Sequence, residues 1–143
     1  MGLFDFAGNI GRKLFGNEAE ASGKITEHVE GDNPGVENIK ADYHDGVVTL
    51  TGNSDDPAAV EKAILMVGNI EGVHKVVNST NQPLEDTEKT EYYEIQSGDT
   101  LSKLAKQFYG DASAYNRIFE ANREVIKDPD LIFVGQKIRI PME

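Results

Sequence analysis

Apolar residues recur at two different spacings along the chain, and the alternation between them lays out its elements. Ile25, His28 and Val29 share one face of a helix predicted over 22–29. "DNPGV" then turns the chain. Ile39, Ala41 and Tyr43 alternate, "HDG" reverses direction, and Val48 and Leu50 alternate again, a β-hairpin built on Asp45-Gly46. Asp56 is placed to cap a second helix, with Pro57 in its first turn, where a missing N–H costs nothing. Val60, Ala63, Ile64 and Val67 follow at helical spacing, and Gly68 is expected to end the helix in the left-handed conformation. Val73, Val76 and Val77 predict a last strand. The polar, largely acidic stretch "QPLEDTEKTE" has almost nothing to bury and reads as a linker between two separable units.

Beyond the linker, "YYEIQSGDTLSKLAKQFYG" gives a short strand, a turn, then Leu101, Leu104, Ala105 and Phe108 at helical spacing. Asp99 or Thr100 can cap that helix, and Gly110 stops it. Tyr115, Ile118 and Phe119 mark another helix ending near Asn122, and "DPDLIFVGQKIRIP" supplies a turn and a closing strand over 137–140. The fold class is therefore α+β, with two small domains. The first, αββαβ, resembles a BON domain through "GVVTLTG", the helix after it and "GVHKVVN". The second, βααβ, resembles a LysM domain through "SGDTL", "AN" and "VGQKIRIP". The organisation expected is an N-terminal apolar lid segment (1–18), a BON domain (19–81), an acidic linker (82–91) and a LysM domain (92–143).

Composition narrows the function. A net charge of −11 argues against nucleic acid and anionic membrane surfaces, both of which call for clustered Lys and Arg, while it draws cations without choosing among them. The absence of cysteine removes disulfides and thiolate metal sites. No nucleophile elbow, Walker loop or Cys nucleophile is present, so no enzyme is expected. His28, His44 and His74 have no ligand spacing, and the acids around Asp45 and Asp56 do not follow an EF-hand loop. The opening "MGLFDFAGNIGRKLF" lacks the basic start and long apolar core of an export signal, so a soluble, cytoplasmic protein is expected.

"VGNIEGV" places two glycines around a helix C-terminus, where unpartnered carbonyls carry the negative end of the helix dipole. Such a turn can aim neutral oxygens at a weakly hydrated monovalent cation, or simply cap the helix. The whole architecture, from MGLF through BON to LysM, resembles the cytoplasmic potassium-binding protein family of bacteria. That resemblance implies a K⁺ binder that compacts around its ion. It implies main-chain ligands at Ala7 and Ile10 and at Gly68, Ile70, Gly72 and Val73. Leu3, Phe4, Phe6 and Ile10 would then form the apolar side of a lid, with Gly8 and Gly11 allowing close approach of its backbone.

The alternative partner is a peptidoglycan fragment. LysM modules bind N-acetylglucosamine polymers in a shallow groove. By that resemblance Ser97, Gly98, Asp99 and Thr100 would face Pro129, Asp130, Leu131 and Ile132 across it. Asp99 and Thr100 serve equally well as helix caps, and Leu131 and Ile132 as core.

Overall fold

The computed structural model describes residues 5, 6, 8, 16–82, 90–129 and 132–142. Helix α1 runs Glu18–Glu30, and the Asn17 side chain accepts from the Glu20 N–H at its start. It begins earlier than its apolar spacing suggested, because Ala21 extends the buried stripe of Ile25 and Val29 by one turn. Strands β1 (Glu37–His44) and β2 (Val47–Asn53) form the expected hairpin. Asp45 and Gly46 both hold positive φ, 47° and 81°, as a two-residue hairpin turn requires. Helix α2 (Pro57–Gly68) starts on the Asp56 cap, whose side chain accepts from the Ala58 N–H. It carries the chain over to β3 (Lys75–Asn78), which lies parallel to β2.

The sheet order is β1-β2-β3, so β1 is an edge. Side chains of α1 cover part of that edge: Thr26 Oγ1 accepts from the Ala41 N–H at 3.0 Å and Ser22 Oγ from the Tyr43 N–H at 2.9 Å. Backbone donors that would otherwise invite another strand are thereby occupied. Ile25, Leu50, Ile64, Leu65 and Ile70 fill the core between helices and sheet.

In the second unit β4 (Thr90–Glu94) pairs antiparallel with β5 (Lys137–Pro141). Between them lie α3 (Leu101–Tyr109), a short 3₁₀ turn (Ala112–Ala114) and α4 (Tyr115–Ala121). Thr100 caps α3 by accepting from the Lys103 N–H, and Gly110 ends it at φ 76°. Leu101, Leu104, Ile118, Ile126, Ile138 and Ile140 form a separate core.

The two units are in contact. Tyr92 and Val125 pack against the core of the first unit. Asn69 makes two hydrogen bonds with the Lys137 backbone, donating to its carbonyl and accepting from its N–H, each at 2.8 Å. Glu61, on α2, accepts from the Tyr92 hydroxyl at 2.8 Å and lies 2.8 Å from Arg139 Nε. That second contact is Coulombic, since the N–H is not aimed at the oxygen. Lys62–Glu124 and Asp32–Lys127 pairs continue the contact at its margin. The linker's polarity gave no sign of this interface, because the domains' own side chains build it.

Candidate functional site

The last turn of α2 is buried, and the chain leaves it through a compact reversal. The Asn69 N–H donates to Leu65, the Ile70 N–H to Val67 and the Val73 N–H to Ile70. Ile70 and Val73 are inaccessible to solvent and pin the turn to the core, while Gly72 between them takes φ 101°. That conformation favours glycine.

Asp5, Phe6 and Gly8 of the N-terminal segment lie against this turn. Asp5 bridges antiparallel to Lys75, and the Phe6 N–H donates to the His74 carbonyl at 2.9 Å. The Gly72 N–H donates to the Gly8 carbonyl at 2.7 Å. Glycine on each side makes the approach possible. A Cβ on Gly68 would lie 2.0 Å from the Phe6 ring, and one on Gly8, itself at φ 82°, would lie 2.1 Å from the His74 ring. The Tyr43 hydroxyl donates to the Gly72 carbonyl from below, at 3.1 Å.

From the second unit comes Lys137. Its Nζ donates to the Asp5 carbonyl and stands 4.6 Å from the centre of the Phe6 ring. Burial pushes the ammonium below the usual lysine range, against the pull of Asp5 and Glu94.

Of the predicted ion ligands, Gly68, Ile70, Gly72 and Val73 fall in this one reversal, while Ala7 and Ile10 lie outside the described residues. Among the described residues, the Gly8, Ile70 and Gly72 carbonyls each accept a protein hydrogen bond, and a carbonyl oxygen carries two lone pairs. Among the described residues, His, Asp and Glu side chains form no group of three suited to a metal. The turn directly follows the C-terminal, negative end of α2.

The expectation for Gly68 is corrected. It is not left-handed; Asn69 follows it at φ −85°, and the glycine is needed because the Phe6 ring occupies the place of a side chain. Of the apolar lid residues, Phe6 packs on the first core, and Leu3, Phe4 and Ile10 fall outside the described residues. The sequence pattern assigned Tyr43, Asn69 and Lys137 no role at the site, and His74 only an absence of ligand spacing. The sole signal was that Asn69 directly follows Gly68 and His74 stands two residues beyond Gly72.

A groove also forms where the LysM resemblance placed the second set of candidate residues. It is lined by Asp99, Thr100, Leu101, Ser102, Tyr115, Pro129 and Ile132, with Ser97 and Gly98 in the turn before it. Asp130 and Leu131 lie outside the described residues. The Asp99 carboxylate is already engaged, accepting from the Tyr93 hydroxyl at 2.6 Å and the Gln96 N–H at 2.8 Å. That bond pushes the Tyr93 pKa up to about 12. The Gly98 carbonyl accepts from Lys103 Nζ, and Ile132 packs on the second core.

Comparison with known proteins agrees with both domain assignments. Residues 17–81 match the BON domain and residues 93–141 the LysM domain. The chain is 37% identical over its whole length to the whole of the potassium binding protein Kbp of Escherichia coli. A Deinococcus radiodurans protein is 49% identical over 40% of this chain and 21% of its own length. A Mycobacterium tuberculosis esterase is 47% identical over 33% of this chain but only 10% of its own length. No helix of the described residues is long and apolar enough to cross a membrane.

Proposed function

This chain belongs to the family of the Escherichia coli potassium binding protein, a BON domain followed by a LysM domain, and on that premise we propose that it binds K⁺ selectively. The ligands are main-chain carbonyls of the N-terminal segment, Ala7 and Ile10, and of the reversal after α2, Gly68, Ile70, Gly72 and Val73. One observation carries this assignment: the Gly8–Gly72 hydrogen bond, with the Phe6 ring seated on Gly68, brings two distant runs of backbone together.

Neutral oxygens held at a helix C-terminus suit a weakly hydrated monovalent ion. Ca²⁺ and Mg²⁺ prefer sites that include carboxylates. The net charge of −11 raises the local concentration of every cation, so selectivity must come from the carbonyl cage. Because ligands come from both segments, ion binding and docking of the N-terminal segment favour each other by the same free energy. The ion thus compacts the chain, as a cytoplasmic K⁺ sensor or buffer requires.

A ligand bound only by the folded state adds roughly 2.7 kcal/mol at 100 times its dissociation constant. Thermal unfolding in choline buffer is therefore expected to move upward by several degrees on adding KCl, and far less on adding NaCl at equal ionic strength. Equal shifts would reduce the effect to screening of acidic charge and end the assignment.

The formed groove at Thr100, Tyr115, Pro129 and Ile132 favours a second reading, binding of a peptidoglycan fragment by the LysM domain. Sedimentation with purified peptidoglycan tests it. Depletion from the supernatant supports this reading, and full recovery there excludes it. With the Asp99 carboxylate bound to Tyr93 and Gln96, recognition would rest on the Thr100 and Tyr115 side of the groove.

A further inference from the structure

Lys137 is the only lysine buried among the described residues, at 1% exposure. In β5 the side chains of Ile138 and Ile140 enter the second core, while Lys137 and Arg139 turn the other way, toward the first unit. Arg139 meets Glu61 there. The Lys137 backbone is fixed by both ends of the Asn69 amide, one residue beyond Gly68. Its ammonium then reaches the N-terminal segment, donating to the Asp5 carbonyl beside the Phe6 ring. Sequestering an ammonium from water is unfavourable unless specific partners replace the solvent, and here the segment supplies a carbonyl and a ring face.

We propose that Lys137 is a positioning residue for the ion site, a fixed cation of the C-terminal domain that holds the Asp5–Phe6 stretch across the Gly68–Val73 turn. Without it, Phe6 keeps its apolar contact with Gly68 but loses the charge that orients its ring and peptide. The segment then lifts more often, breaking the Phe6–His74 and Gly8–Gly72 hydrogen bonds. The inference rests on K⁺ binding only for its effect on affinity; the hold on the segment exists without the ion.

The chain has no cysteine, so Lys137→Cys introduces a unique thiol. In the unfolded protein its thiolate displaces bromide from 2-bromoethylamine, forming a C–S bond and restoring an ammonium at lysine's length. 1-Bromopropane reacts in the same way and leaves a chain of the same shape without charge. Both products are refolded, and amide exchange is followed at Phe6 and Gly72 in choline buffer, then K⁺ affinity by calorimetry. The aminoethylated protein is expected to match wild type, and the propylated protein to exchange at least about tenfold faster at both amides and bind K⁺ correspondingly more weakly.

Phe6→Leu approaches the contact from the other side. With Lys137 intact it should accelerate the Gly72 amide similarly, and in the propylated background it should add little. Equal exchange in the two alkylated proteins, or additive effects of the Phe6 and Lys137 changes, would overturn the proposal. If wild type shows no K⁺ binding but the alkylated proteins still differ in exchange, the hold by Lys137 stands and the K⁺ assignment falls.

Discussion

Gly68→Ala is expected to weaken K⁺ binding by at least about tenfold, ~1.4 kcal/mol, while leaving the BON core as stable as before or slightly more so. The two effects have opposite signs because they act on different structures. Gly68 is the last residue of α2 and is not left-handed, so alanine fits its backbone and removes a helix penalty of about 1 kcal/mol. The added Cβ, however, would stand 2.0 Å from Phe6 Cζ and 2.2 Å from both ring ε carbons. The ring cannot move far while the Phe6 N–H is bonded to His74, so the whole segment must lift. Thermal unfolding in choline reads the helix gain less the lost packing of Phe6 on the core, and K⁺ calorimetry reads the segment term. Unchanged K⁺ affinity in a folded Gly68→Ala protein would mean that the Phe6 contact is incidental to ion binding.

A comparably large effect is expected at the interface between the domains. Glu61 and Arg139 are only 11% and 13% exposed, and Glu61 also accepts from Tyr92, so one carboxylate from the first domain joins two groups of the second. Glu61→Ala leaves Arg139 charged and largely buried without its counter-ion. Breaking such a pair from one side typically costs about 3–5 kcal/mol. The domains are expected to separate rather than keep that charge buried, so urea unfolding, expected to be a single transition in wild type, should resolve into two. Replacing both partners with apolar residues, Glu61→Met with Arg139→Leu, should recover much of the loss, because no uncompensated charge remains. A single transition at the wild-type midpoint in Glu61→Ala would show that the pair contributes nothing to docking.

Much of the fold was legible because its signals are local. Asp45-Gly46, Asp56-Pro57 and Gly110 each impose a turn or cap through their own backbone preferences, and each does so in the structure. Gly68 shows where such signals mislead. A glycine at a helix end has two physical explanations, a left-handed φ or a neighbour too close for a Cβ, and the sequence alone cannot separate them. The deciding neighbour, Phe6, lies in a different part of the chain. Lys137 was hidden for a related reason. In "KIRIP" the alternation assigns Ile138 and Ile140 to the core and sends Lys137 outward, as if to solvent. Only the docked first domain makes that outward face an interior one. Main-chain ligation leaves no side-chain pattern at all, so the proposed oxygens were suggested by resemblance and by the glycine spacing of "VGNIEGV".

The central claim is that K⁺ is held between the N-terminal segment and the reversal after α2. Calorimetric titration with K⁺ in choline buffer, on the intact chain and on a chain lacking residues 1–11, tests it most directly. The intact chain should bind K⁺ in preference to Na⁺ and Ca²⁺. The shortened chain should bind it at least about tenfold more weakly, since part of the coordination shell and the ring that seats it are gone, while circular dichroism shows both domains folded. Absence of K⁺ binding by the intact chain, or undiminished affinity in the folded, shortened one, would contradict the account.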